Sequence, residues 1–265
     1  MCDIMITMNA KTVVIMGSTQ GFGRALAESF LERGHRVLVC SRNKENVRTA
    51  SLELKPKYKQ NMSAMIADVS DYEDCVRITE LAIRVYGSVD VWINNAASNA
   101  YARKPYLEFD PDDIRTVVET NLLGTMNCCH VVMPHMMERK QGIVVNVEGA
   151  GSENNETRGY AVYGATKSAI TQFTHTLRAE YSCDDVRICL LSPGMMFTRL
   201  LLCCDDTSPE IQFVFDTYGE HPEDVSERVV PKILAIRKHD TIRDLTWWKI
   251  VRKTVTALFR LRFSL

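Results

Sequence analysis

The sequence predicts a single-domain α/β fold, one doubly wound parallel sheet with helices on both faces. Apolar, β-branched runs alternate with helix-period segments along most of the chain, the pattern of strand–helix–strand units. The 265 residues are 46% hydrophobic and 25% charged, enough to bury the core of one ordinary domain. Between the first strand and the first helix lies a glycine-rich turn, Gly17-Ser18-Thr19-Gln20-Gly21-Phe22-Gly23. Together these observations point to a sheet of the Rossmann type.

The elements follow in order. Thr12-Val13-Val14-Ile15-Met16 is apolar and β-branched, a buried strand. Ala25, Leu26, Ala27, Phe30 and Leu31 recur with helical period through residues 24–33. In the turn between them glycine allows the sharp bend and lets main chain approach a pyrophosphate. The helix N-terminus adds unpaired N–H groups and a positive dipole end. The second strand ends in Val37-Leu38-Val39-Cys40-Ser41-Arg42. A carboxylate there would accept from the ribose hydroxyls of NAD. Ser41 and Arg42 supply a hydroxyl and a guanidinium instead, which suits the 2′-phosphate of NADPH. Ser63 to Ala67 is a third strand leading into Asp68-Val69, and Gly142 to Val147 is a later one leading into Glu148-Gly149-Ala150-Gly151-Ser152. Tyr163 and Lys167 then stand four residues apart, on one face of a helix. A nearby cation favours the ionised phenol and draws its pKa, near ~10 when free, toward neutrality. Such a tyrosine can hand a proton to a carbonyl oxygen as hydride reaches the carbon.

These motifs, in this order, resemble those of the short-chain dehydrogenase/reductase family over residues 11–235. The resemblance assigns pyrophosphate contact to Gly17, Ser18, Gly21, Phe22 and Gly23, the adenine side to Asp68 and Val69, and further cofactor contact to Asn95 and Ala96 of Asn94-Asn95-Ala96-Ala97. Pro193, Gly194 and Thr198 match the segment that holds the nicotinamide. Tyr163, Lys167 and Asn121 match the catalytic set, with Lys167 on the nicotinamide ribose and Asn121 anchoring a water that returns protons to it. The family's catalytic serine falls at or beside Gly149, and the only serine nearby is Ser152. Either the glycines curl the loop so that Ser152 reaches the substrate oxygen, or main chain or water supplies that hydrogen bond.

A narrower resemblance is to the chlorophyll(ide) b reductases of plants and green algae. It is carried by the run from Trp92 through Asn99, Ala100 and Tyr101 to Lys104-Pro105, by Glu148 to Ser152, and by Leu191-Ser192-Pro193-Gly194-Met195. It implies NADPH-dependent reduction of the 7-formyl group of chlorophyll b or chlorophyllide b to a hydroxymethyl. It also implies chloroplast localisation, peripheral on the thylakoid membrane, and an oligomer with itself or with a paralogous subunit. Two alternatives stay open: a reductase of another hydrophobic carbonyl such as a lipid ketone or steroid, and a non-catalytic dinucleotide-binding scaffold.

The net charge of −1 gives no overall attraction to nucleic acid. Nine cysteines without a Cys-x-x-Cys, among them Cys128-Cys129 and Cys203-Cys204, read as reduced core thiols of a reducing compartment. The six histidines make no ligand cluster, and His130 and His135 fall on or beside a helix, so no metal is expected. Met195 to Tyr218, with Met196, Phe197, Leu200, Leu201, Leu202, Ile211, Phe213, Val214 and Phe215, is by the family resemblance part of an apolar lid spanning residues 195–225, or else completes the core. Residues 1–240 are thus read as the domain and 241–265 as a basic amphipathic extension, with no glycine-rich closing strand recognisable. On a helix that extension sets Trp247, Val251, Val255, Leu258 and Phe259 apart from Lys249, Arg252, Lys253, Thr256 and Arg260. Such a helix lies on anionic lipid or docks on protein, and no apolar run reaches the ~18 residues of a span. Only Met1 to Lys11 precede the first strand, short for a transit peptide. That brevity points to an incomplete gene model, a mature form or a cytoplasmic location.

Overall fold

A computed structural model describes residues 10–100, 103–152, 156–181, 185–202 and 209–263. Tyr101, Cys203 and Cys204 lie outside the described residues, as do the side chains of Leu202, Ile211, Leu258, Phe259 and Arg260. Seven strands, β1 (Thr12–Met16), β2 (Arg36–Ser41), β3 (Met62–Ile66), β4 (Val91–Asn94), β5 (Gly142–Val147), β6 (Val186–Ser192) and β7 (Asp240–Arg243), form one sheet in the order β3-β2-β1-β4-β5-β6-β7. Every pairing is parallel. The helices are α1 (Gly21–Glu32), α2 (Lys44–Tyr58), α3 (Tyr72–Tyr86), α4 (Pro111–Val118), α5 (Gly124–Glu138), α6 (Ala161–Glu180), α7 (Arg199–Leu202), α8 (Pro209–Tyr218), α9 (Pro222–Ala235) and α10 (Trp247–Phe263).

Strand alternation divides the core into two layers. Val13 and Ile15 of β1 turn toward Leu26, Phe30, Val229 and Ile233 of α1 and α9. Val14 and Met16 turn toward Ile78, Ala82, Val132 and Met136 of α3 and α5. Each such side chain, fully buried, contributes roughly 1.5–3 kcal/mol, so both faces of the sheet are covered, as a doubly wound parallel sheet requires. Cys40, Cys75, Cys128, Cys129 and Cys189 are buried free thiols within these layers. Strand order reverses between β1 and β4, and the crevice outside the strand ends at such a point is where α/β sheets bind ligands.

A line of buried amides fixes the helix that carries the tyrosine–lysine pair. Asn94 Nδ2 donates to Asn146 Oδ1 (2.8 Å), and Asn146 Nδ2 donates to Thr174 Oγ1 (2.9 Å), joining β4, β5 and α6. Between α4 and α5 the helix widens into a π-turn, Glu119–Leu123, that turns Asn121 inward to complete burial. Such turns cluster at functional sites. His130 and His135 sit on α5, His130 against the Tyr72 hydroxyl (2.9 Å) and His135 accepting from the Val89 amide (3.2 Å).

The C-terminal region differs from expectation. The sheet does close on a seventh strand, and that strand crosses the boundary expected at residue 240. Asp240-Thr241-Ile242-Arg243 escapes notice because it is four residues long, carries no glycine and buries only Ile242. Beyond it α10 is a docked helix with Lys249 and Lys253 turned toward the body and Arg252 exposed. Lys249 Nζ binds Glu220 (2.5 Å) and Asp244 (2.8 Å), and Lys253 Nζ lies 3.5 Å from Glu220. Arg228 of α9 joins the same cluster at 2.6 Å from Asp244. Trp247 and Trp248, at 71% and 80% exposed, are left on the outside.

Candidate active site

The strand ends enclose a cleft of about 800 Å³ that runs from the β1–α1 turn, past Arg42 and Val69, to Tyr163 and the segment after β6. All the predicted cofactor residues line it except Ser18. Ser18 is buried beneath the turn, where its hydroxyl donates to Ile15 O (2.6 Å) and accepts from Cys40 N (3.0 Å), tying β1 to β2.

The turn itself is shaped for close approach. A Cβ on Gly23 would lie 2.2 Å from Gly17 O and 2.5 Å from Asn95 Nδ2, so only glycine lets the helix start there. Gly17 has φ +69°, and its Cβ would meet Ala96 at 2.9 Å. Asn95 Nδ2 donates to the carbonyls of Met16 (3.2 Å) and Gly17 (3.0 Å), bracing the turn from β4. No side chain caps α1, leaving its first amides for a phosphate. Cradle and amides together fit a dinucleotide.

At the adenine end Arg42 lies 3.9 Å from the Asp68 carboxylate, both half-exposed. A pair this open contributes at most about 1 kcal/mol. Asp68 also accepts from the Ser70 hydroxyl (2.8 Å), which holds it on the β3 side of the rim. Ser41 accepts from the amide of Asn43, and Asn43 caps α2 and lines the cleft.

Tyr163 and Lys167 share the cleft face of α6, the ammonium 5.6 Å from the centre of the phenol ring. Lys167 Nζ donates to Val147 O (2.9 Å). The pKa of Tyr163 departs from expectation: burial pushes the phenol up, and no charge offsets it. The same burial pulls Lys167 down to about 8, against the raising influence of Glu148. Desolvation thus outweighs the cation in this state of the site.

The glycine loop explains the missing serine. Gly149 stands at or beside the expected serine position, and a Cβ there would lie 2.5 Å from Tyr163 Oη, so the phenol fills the space a side chain would need. Ser152 N and Oγ both donate to Gly149 O, at 3.1 and 2.6 Å, and Oγ accepts from Gly149 N at 3.0 Å. This closes a turn with Gly151 at φ +95° in third place. Ser152 does not line the cleft, and its hydroxyl is spent on the turn. Asn121 is likewise engaged. Its Oδ1 accepts from Ser98 N (2.7 Å), its Nδ2 donates to Ser98 O (2.9 Å) and Thr166 Oγ1 (3.0 Å), and its carbonyl accepts from Thr125 (2.7 Å). It braces the Ser98 loop against α6, while Thr120 faces the cleft.

Gly194 (φ +83°) bends the chain after Pro193 so that Thr198 comes over Gly21. Met195, Met196, Leu200, Leu201 and Leu245 make this end of the cleft apolar, and Asn99 Nδ2 holds Leu200 O at 2.8 Å. Sequence reasoning missed Glu148, Tyr160 and Leu245. Glu148 was visible as an acid within an apolar strand end, whereas Leu245 enters from a distant segment that no local pattern connects to the site.

Comparison with known proteins places this geometry. The family model for short chain dehydrogenases matches residues 11–204. The chain is 39% identical over 228 residues to the chloroplastic chlorophyll(ide) b reductase NOL of Arabidopsis thaliana, covering 84% of this chain and 65% of that protein. It is 35% identical to the probable chlorophyll(ide) b reductase NYC1 of the same plant, covering 94% of this chain and 53% of that protein. It therefore spans between half and two thirds of these two relatives. Among solved structures, the closed form of serine dehydrogenase complexed with NADP+ is 25% identical with a TM-score of 0.72, over 86% of this chain and 93% of that one. By its family match over most of its length and by this likeness in structure, the chain belongs to the short-chain dehydrogenase family.

Proposed function

We propose that the chain reduces the 7-formyl group of chlorophyll b or chlorophyllide b to a hydroxymethyl group, with NADPH as reductant. The observation that carries this reading is the loop at Gly149. A bare glycine wall behind Tyr163 replaces a serine side chain, and with the apolar surface of Met195, Met196, Leu200, Leu201 and Leu245 it suits a broad, flat, conjugated aldehyde. The names of the two relatives, at 39% and 35% identity, support the same substrate class.

NADPH supplies the hydride. Gly17, Gly21, Phe22 and Gly23 hold its pyrophosphate, Ser41 and Arg42 its 2′-phosphate, and Asp68, Val69, Asn95 and Ala96 the adenine side. Arg42, only weakly paired with Asp68, would be available to hold that phosphate. Pro193, Gly194 and Thr198 hold the nicotinamide end. Tyr163 gives its proton to the formyl oxygen as hydride reaches the carbon. Lys167 holds the nicotinamide ribose and stabilises the phenolate left behind. The second donor to the formyl oxygen is main chain or water, because the Ser152 hydroxyl is committed to its turn.

The location follows the substrate: the chloroplast, with peripheral contact at the thylakoid through Trp247 and Trp248. No described helix is long and apolar enough to cross a membrane. Purified protein incubated with NADPH and chlorophyll b, then with chlorophyllide b, should yield the 7-hydroxymethyl pigments on chromatography, and far less with NADH. Inertness toward both pigments, combined with reduction of a steroid or lipid ketone, would overturn the substrate assignment.

A further inference from the structure

Glu148 is a buried acid, 4% exposed, on the wall of the catalytic cleft. It follows β5 directly, where the strand end meets α6. Its Oε2 takes the hydroxyl of Thr171 at 3.5 Å, and the same hydroxyl reaches Lys167 O at 3.1 Å. Lys167 in turn donates to Val147 O, the carbonyl of the peptide that enters Glu148. The Glu148 carboxylate is thus tied to the turn of α6 that follows Lys167, and the Lys167 ammonium to the peptide that enters Glu148. A buried carboxylate is costly unless a positive charge answers it, and Lys167 is the amine its field acts upon.

We propose that Glu148 is a positioning residue for the reductase described above, a buried counter-ion that keeps Lys167 an ammonium aimed at the nicotinamide ribose and Tyr163. The inference rests on Lys167 serving the cofactor, not on which carbonyl is reduced. Among the described residues, the titratable groups that neighbour Lys167 are Glu148, whose charge acts on it from the end of β5, and Tyr163 on its own helix. The π-turn meets α6 with the neutral amide of Asn121, and β5 meets it lower down with that of Asn146.

The test reads the cofactor alone. Contact with the ribose needs the ammonium, so NADPH affinity, followed by nicotinamide fluorescence, should fall as pH rises through about 8. Glu148 raises that pKa, so its removal moves the fall to lower pH. Glu148→Gln and Glu148→Ser, one isosteric and one small, should each shift the midpoint down by about 1 pH unit, while Glu148→Asp should return it most of the way. An unchanged midpoint in the charge-free variants, or an Asp variant no different from Gln, would overturn the proposal. So would failure of both charge-free variants to fold when Asp folds, which would make the residue structural. Chlorophyll b assays run beside the titrations separate the two readings: shifted midpoints without pigment turnover in the parent protein would sink the substrate and leave Glu148 in place.

Discussion

At the scale of single residues the site turns on how Tyr163 and Gly149 share space. Tyr163→Phe keeps the ring and should leave NADPH affinity intact while turnover drops by the ~10²–10⁴-fold that general acid catalysis contributes. Gly149→Ala tests the shape of the site. Its Cβ would sit 2.5 Å from Tyr163 Oη and must push a stiff ring aside. Displacement of a catalytic group by about 1 Å costs on the order of 10²-fold in rate, so kcat should fall at constant cofactor affinity. An active Gly149→Ala enzyme would show that the phenol does not work from this position. Ser152→Ala should do the reverse. It removes the hydroxyl that closes the turn, costing about 1–2 kcal/mol of stability, with less than ~10-fold lost in turnover. A loss of ~10²–10³-fold, the size expected for a donor to developing charge, would return Ser152 to the reaction. These assignments divide by how local their cause is. Tyr163, Lys167 and the glycine turn were legible because spacing alone puts their side chains together. What the polar atoms of Asn121, Ser18 and Asn95 bind is decided by segments 22 to 79 residues away.

At the scale of elements, β1, β2, β3, β5 and the helix after the glycine turn were readable, β1 and β5 as unbroken apolar runs that the sheet buries on both faces. β1 and β5 emerged with the boundaries expected of them. What escaped was β7, while the docking of α10 stood as one of two readings, and both depend on tertiary partners. Lys249 and Lys253 look like a solvated basic stripe until Glu220 and Asp244 are brought beneath them. Asp244 is the centre of that cluster. Burial by itself would raise its pKa, but hydrogen bonds from Arg228 and Lys249 and their charges outweigh it and hold the carboxyl below its usual range. A depressed folded-state pKa contributes stability that is full above the unfolded value, near ~4, and is lost as pH falls through the folded one. Asp244→Asn should therefore lower the melting temperature at pH 7. Leaving two cations without their buried partner costs about 3 kcal/mol, or roughly 5–10 °C in a chain of this size. The gap between variant and parent should close as the pH is lowered below ~4. A gap that persists unchanged at low pH would mean that the asparagine disturbs packing, not charge.

At the scale of the whole molecule, the fold sets the catalytic cleft at one end of the sheet and the exposed tryptophans of α10 at the sheet's β7 edge. Lipid attachment by a basic stripe loses much of its force once Lys249 and Lys253 are seen to face inward, since each surface cation contributes only about 1 kcal/mol and these two are not at the surface. Among the described residues, what remains outside is Trp247 and Trp248, with Arg252, Val255 and Thr256 along the next turns. Indole rings partition into the lipid–water boundary through apolar burial with a polar edge left in water, and that contribution does not depend on salt as charge does. Deleting everything after Asp240 is the wrong test, because the cut passes through β7 and would unravel the sheet edge. Trp247→Ser with Trp248→Ser is the right one: both rings are exposed, so the fold and the melting temperature should be unchanged. The parent protein is expected to co-sediment with liposomes of mixed neutral and anionic lipid and to keep most of that binding as salt is raised, whereas the double variant stays in the supernatant. Binding that survives the tryptophan changes but vanishes in high salt would place the contact on a basic surface elsewhere. No binding by the parent would leave the exposed pair for a protein partner.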